Sequence, residues 1–186
     1  MAALVALAVA GCTGGSGSDD DADDPSTSSE TSTSAGPTDD ASETAVEPPE
    51  LPAEAQEQTE AGGDAFARFY VDVMNYSQAT GDAAPLETYS TDACSVCDGY
   101  EEATAEGYAD GGHLEGGTFT IRESSVLPAD YGADFGIYLV LDVADLVVHF
   151  GDGSERRDAG QEYRIGMYPV WTDGGWLINT IAVPTS

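Results

Sequence analysis

Between Asp64 and Thr80 the apolar residues recur with the spacing of a helix. Phe66, Phe69, Tyr70, Val73, Met74 and Ser77 fall at i, i+3, i+4 and i+7, which places them on one helical face. A face so rich in aromatic rings has to be covered, so the rest of the chain must supply a surface for it. Asp64 is positioned to cap the N-terminus, where its carboxylate also complements the positive helix end. Gly81 suits the left-handed C-cap, and Pro85 suits the first turn of a short second helix, Pro85–Thr91. After Cys97, DGYEEATAEGYADGG reads as a third helix ending at Gly111-Gly112, with Tyr100, Ala103, Thr104 and Tyr108 inward.

The pattern then changes to strands. Thr118–Leu127 alternates Phe119, Ile121, Glu123, Ser125 and Leu127 against polar partners. Phe135–Phe150 is long and β-branched, and Asp142 and Asp145 interrupt its phase, as at a bulge or sharp bend. Gly151–Ser154 contains the Asp-Gly pair of a hairpin turn, Tyr163–Trp171 returns, Asp173–Gly175 turns again, and Trp176–Val183 closes. The expected fold class is α+β: three N-terminal helices packed on a strongly curved antiparallel sheet of about four strands, a cone or cystatin-like roll.

Upstream of the helix the chain has a different character. Ala2–Gly11 is an apolar run with the length of a signal-peptide core and too short to span a bilayer. It ends at Val9-Ala10-Gly11-Cys12, which resembles the lipobox of bacterial lipoproteins, with Cys12 as the lipidated residue. No Lys or Arg precedes the run, so a basic segment is expected upstream of it. Thr13–Glu60 is built from Gly, Ser, Thr, Pro and acids and includes DDDADD at Asp19–Asp24. Such a composition cannot offset its own ordering entropy, and as a random coil it would average roughly 40 Å end to end. The acidic run lacks the spaced ligands and glycine of an EF-hand loop and reads as solvated charge. The expected organisation is a signal peptide over 1–11, a lipidated Cys12 with an acidic tether over 12–60, and one α+β domain over 61–186.

Charge narrows the partners. With 35 Asp and Glu against five arginines and no lysine, the formal charge is -30. That excludes nucleic acid and electrostatic adhesion to anionic lipid. It leaves the membrane through a lipid anchor, an envelope protein, or a small apolar ligand.

Four groups are candidates for chemistry. Cys94 and Cys97 lie between Asp92 and Asp98 with no basic side chain near in sequence. Local charge therefore opposes a thiolate, so redox catalysis is disfavoured, and a tetrahedral metal site would need two further ligands. An exported protein meets oxidising conditions, and the pair reads as a structural disulfide with Cys94 at or just before the start of the third helix. Tyr70 and Asp92 could pair a phenol donor with a carboxylate base, as proton abstraction beside a carbonyl requires. The same residue types serve equally as a rim tyrosine and a helix cap. Tyr138, Tyr168 and Trp171 are candidates to line a concave face. His113 and His149 stand alone, Asn75-Tyr76-Ser77 is a glycosylation sequon placed mid-helix, and neither a cofactor nor a metal site is read.

The lipobox, the acidic tether, FARFYVDVMNYSQATGDAAPL at Phe66–Leu86 and CSVC at Cys94–Cys97 together resemble a family of actinobacterial lipoproteins carrying a domain of unknown function. More distantly, the order of elements and the closing DGGWLINTI are similar to the nuclear-transport-factor-2-like, or ketosteroid-isomerase-like, cone fold. That resemblance implies a helix enclosed by a curved sheet. It admits both a non-catalytic binding module and a small-molecule isomerase or dehydratase, because this fold hosts both. The expected function is a membrane-anchored extracytoplasmic binding or interaction module.

Overall fold

The computed structural model describes residues 46–183. The stretch expected to be a signal peptide, Cys12 and the expected tether up to residue 45 lie outside the described residues. The packed domain begins ahead of residue 61. A single 3-10 turn spans Glu54–Gln56, Ala55 is buried, and the Trp176 indole donates to Glu57 O at 3.0 Å. The segment up to Glu60 therefore joins the domain, because its few apolar side chains, Leu51 and Ala55, cover the near end of the core.

Helix α1 runs Glu60–Thr80 and is capped by Thr59, whose hydroxyl accepts from Gly62 N at 3.0 Å. Asp64 is not the cap. It lies a turn further on, where it binds Arg68 and Ser124. Gly62-Gly63 looks like a break in the sequence but belongs to the helix: a Cβ on Gly62 would stand 2.1 Å from Glu57 O, so only glycine lets the incoming chain cross there. At the far end Gly81 takes φ 76 and its N–H bonds Ser77 O, the expected C-cap.

Helix α2 is shorter than expected, Ala84–Thr88. The chain then leaves helical geometry because Tyr89 O and Thr91 N hydrogen-bond Ile178 at 2.9 and 3.0 Å, joining a sheet edge. Helix α3 spans Ser95–Tyr108 with Cys94 at its N-cap. Thr104 and Gly107 are its buried positions toward the C-terminal end; Ala103 is exposed, and Leu114 packs where a side chain on Gly107 would stand.

Seven strands follow: β1 His113–Gly116, β2 Phe119–Leu127, β3 Gly136–Val143, β4 Leu146–His149, β5 Glu155–Asp158, β6 Gln161–Thr172 and β7 Gly175–Ala182. They form a four-stranded antiparallel sheet, β2-β3-β6-β7, and a three-stranded one, β1-β4-β5. The α+β class holds, with more strands than expected. The additional ones arise because β1–β2, β3–β4 and β5–β6 each break at the same level. Gly117 N bonds Asp145 O at 2.8 Å, Ala144 N bonds Thr118 O at 3.1 Å, and Gly160 N bonds Asp145 Oδ1 at 2.7 Å. Gly116 and Gly117 turn this corner with φ of 81 and 69, values that glycine alone adopts without strain. The interruption at Asp145 is thus a strand crossing from one sheet to the other.

A bulge between Ile121 and Glu123 reverses the phase of β2. Beyond it Ser124 stands opposite Leu139 on the core side, and Glu123, Ser125 and Leu127 turn outward, contrary to the simple alternation. The core lies between α1 (Phe66, Phe69, Tyr70, Val73) and the inner face of the larger sheet (Ile137, Leu139, Met167, Ile178).

Candidate functional site

The core does not fill the space between helices and sheets. Toward the corner a cavity of about 660 Å³ opens between α1, α3 and the two sheets. Its walls are largely apolar, with Met74 and Phe119 on one side and Leu141, Ile165 and Ile181 on the other. Leu146 and Gly117 come from the corner, and Arg157, Asp158, Gln161 and Tyr163 contribute from β5, β6 and their junction. The three coincident strand breaks are what hold this end open.

Polar groups on the helix side come from Tyr70, Gln78 and Tyr100. Tyr70 and Gln78 lie eight residues apart on α1, with Met74 between them, so one helical face presents all three. The Tyr100 hydroxyl donates toward Met74 O and Gln78 Oε1, both at 3.1 Å. Gln78 Nε2 donates to Gly116 O at 2.8 Å, tying α1 to the corner. The Tyr70 oxygen lies 2.8 Å from Ser90 Oγ. Burial pushes the Tyr70 phenol up to about 12, and burial followed by the neighbouring Tyr70 raises that of Tyr100 as well, so both are neutral at physiological pH. Gln78 is absent from the sequence reading, although its i+4 relation to Met74 was the available signal.

Tyr70 lines the cavity, but Asp92 is exposed and does not. The phenol and carboxylate of the isomerase reading are therefore not brought together. Asp158, the carboxylate at the cavity wall, is engaged by Arg156 Nε at 3.0 Å and half open to solvent. Tyr138 and Tyr168 miss the cavity for a reason of phase. They stand opposite Gly166 and Thr180, on the outer face, while the alternate residues Ile137 and Met167 point inward. Tyr168 packs there over Gly136 and against the Tyr131 ring. Trp171 packs edge-on against Trp176, whose indole anchors the Glu57 segment, away from the cavity.

His113 and His149 do not stand alone. They face each other across β1 and β4 with rings stacked at 4.3 Å, and His149 reaches Glu155 at 3.2 Å and Glu115 at 3.4 Å. Among the described residues no group of three or more His, Cys, Asp or Glu side chains is arranged to hold a metal ion. Asn75 is occupied within the fold, since its amide donates to Phe119 O at 3.0 Å and accepts from Phe119 N at 2.8 Å.

Cys94 and Cys97 form a disulfide, with Cα atoms 5.2 Å apart and both residues buried. It closes the first turn of α3, and Cys97 and Val96 lie at the cavity wall. Replacing both cysteines with alanine is expected to cost on the order of 2 kcal/mol, because so short a loop restrains the unfolded chain only weakly. Urea titration of the wild type and the double variant measures the difference, and a loss above about 4 kcal/mol would mean that the bridge does more than restrain the unfolded chain.

A family model described as a family of unknown function, DUF6318, matches residues 36–182. The chain belongs to that family. Comparison with curated proteins returns no match. Among solved structures, the DUF6318 chain is similar to the intermembrane space region of the chloroplast protein ARC6, at 12% identity and a TM-score of 0.50. That match covers 70% of this chain and 99% of the other, and at such identity it speaks to the fold alone. A putative calcium/calmodulin-dependent protein kinase II association domain from Xanthomonas campestris matches at 15% identity, over 76% of this chain and 98% of that one. Its TM-score of 0.36 marks a loose likeness.

Proposed function

We propose that this DUF6318 chain is a lipoprotein of actinobacterial type, held through Cys12 at the extracytoplasmic face of the cell membrane. Its folded domain is a non-catalytic binding module for a small apolar ligand. The cavity carries the binding half of this reading. Its volume of about 660 Å³ falls in the roughly 300–1,000 Å³ range of small-molecule sites, and its walls are apolar with few polar groups. An apolar concavity of this size between helices and sheets is the shape that small-molecule sites take, and it supports an occupant there. The residues at its wall favour binding over proton abstraction, because the carboxylate there, Asp158, is solvated and paired.

The neutral apolar dye phenylnaphthylamine should bind saturably with enhanced fluorescence. Val143→Trp, which adds an indole at a half-buried wall position, should weaken that binding by roughly tenfold or more and leave the melting temperature little changed. Absence of saturable binding by the wild type would sink the proposal.

The anchor is supported by the apolar run that ends at the lipobox. Cys12→Ser, expressed with a basic segment upstream, should abolish lipid labelling and either release the protein into the medium or leave it uncleaved. Membrane retention and processing like those of the wild type would remove the lipobox from the account.

A further inference from the structure

We infer that the mouth of this cavity docks on a lipid bilayer of no net charge, so that the ligand passes between membrane and cavity without crossing water; this rests on the binding function proposed above. Among the described residues six large apolar side chains stand exposed, and three of them, Val96, Tyr163 and Val183, border this one opening. They are 48%, 41% and 67% exposed and come from α3, β6 and the residue after β7. Single exposed apolar side chains are ordinary, but an apolar rim continuous with an apolar cavity marks an interaction surface. Tyr163 suits a membrane boundary in particular, since its ring is apolar and its hydroxyl stays wet.

Charge points the same way. The chain carries a formal charge of -30, yet Arg157 and Asp158 are the charged side chains at the cavity wall. Each is paired within β5, Arg157 with Glu155 and Asp158 with Arg156, so that strand is balanced. On α3 the exposed residues beside the mouth, Val96, Gly99 and Ala103, share one uncharged face, and Asp98, Glu101 and Glu102 lie off it. An acidic surface is repelled by anionic lipid, so a balanced, apolar rim is the part of this chain fitted to a bilayer, and zwitterionic lipid is the surface it fits. A coil from Cys12 to Val46 would average roughly 30 Å, about the diameter of a small domain, so a chain anchored as proposed keeps the rim within reach of the membrane. An apolar ligand is dissolved in that membrane already, and a docked mouth spares it exposure to water.

The test compares full-length Val96→Trp and Val126→Trp on vesicles of phosphatidylcholine brominated in its acyl chains. Both valines are 48% exposed, but only Val96 is at the rim. Trp171 and Trp176 lie away from the mouth and contribute equally to both variants, so the wild-type signal is subtracted. The emission added by Val96→Trp should fall roughly twofold or more, because interfacial side chains reach the acyl boundary, while that of Val126→Trp stays as in unbrominated vesicles. Should Val96→Trp not fold by circular dichroism, Val183→Trp reads the same rim. Absence of quenching at the rim, or equal quenching at Val126→Trp, overturns the inference whether or not Cys12 carries lipid. So does a dimer in sedimentation without vesicles in which the rim tryptophan is shielded from acrylamide, since a second copy would then cover the mouth. In each of these cases saturable binding of phenylnaphthylamine leaves the binding function standing, whereas failure of the dye to bind is failure of that function.

Discussion

Phe66→Ala is expected to destabilise the domain by about 3–5 kcal/mol, the range for truncating a fully buried aromatic ring. Phe66 is 1% exposed, and its ring meets Phe69 and Tyr89 with centroids 6.1 Å away in each case. Tyr89 belongs to the segment that pairs with β7, so the cluster links α1 to the sheet edge as well as to its inner face. The resulting cavity cannot collapse readily, because α1 is pinned at its start by the Thr59 cap and toward its end by Asn75 and Gln78. Against a total stability of about 5–15 kcal/mol this is a large fraction, and the melting temperature should fall by roughly 10–20 °C. Val126→Ala, at a position 48% exposed on β2, should change stability by no more than about 0.5 kcal/mol. A loss below about 1 kcal/mol at Phe66 would show that α1 is not the centre of the fold.

The inner face of α1 was legible because every residue on it obeys one local period and ends at one glycine. Its start was not, because the Thr59 cap is followed by Gly62-Gly63, whose role depends on Glu57 crossing the helix, a close approach that no local pattern records. The four strands of the larger sheet were readable to within a few residues, but β1 and β5, the separation of β4 from β3, and the strand faces were not. The bulge at Arg122 inverts all that follows in β2, and an error of one residue in phase moves Tyr138 and Tyr168 from the concave to the outer face. Residues far apart in the chain meet through register, as His113 and His149 do, and single-sequence patterning carries no register between β1 and β4. The cavity was the least legible feature. It exists where three strands break together around Asp145, so it depends on Gly117, Ala144 and Gly160 converging and on no motif.

Asn75 joins these two levels. Its carboxamide bonds both the N–H and the C=O of Phe119, taking the place that a neighbouring strand would occupy at the start of β2. Phe119 in turn lines the cavity and packs edge-on against Tyr100 at 5.9 Å. Asn75→Ala leaves two part-buried backbone groups without partners at about 1–3 kcal/mol each, so a loss of about 2–6 kcal/mol is expected, together with weaker dye binding as the Phe119 wall loosens. Asn75→Asp tests the donor specifically. Its carboxylate can still accept from Phe119 N but meets Phe119 O with no proton to give, whereas the protonated acid can serve both. In that variant the folded state should favour the protonated form and raise the carboxyl above its ordinary value of about 3.9. Its stability relative to wild type should therefore be highest at acid pH and be lost as pH rises through that raised value. Urea titrations of wild type and variant at matched pH measure the difference. A gap that stays constant from acid to neutral pH would mean that the amide donor to Phe119 does not hold the strand in place.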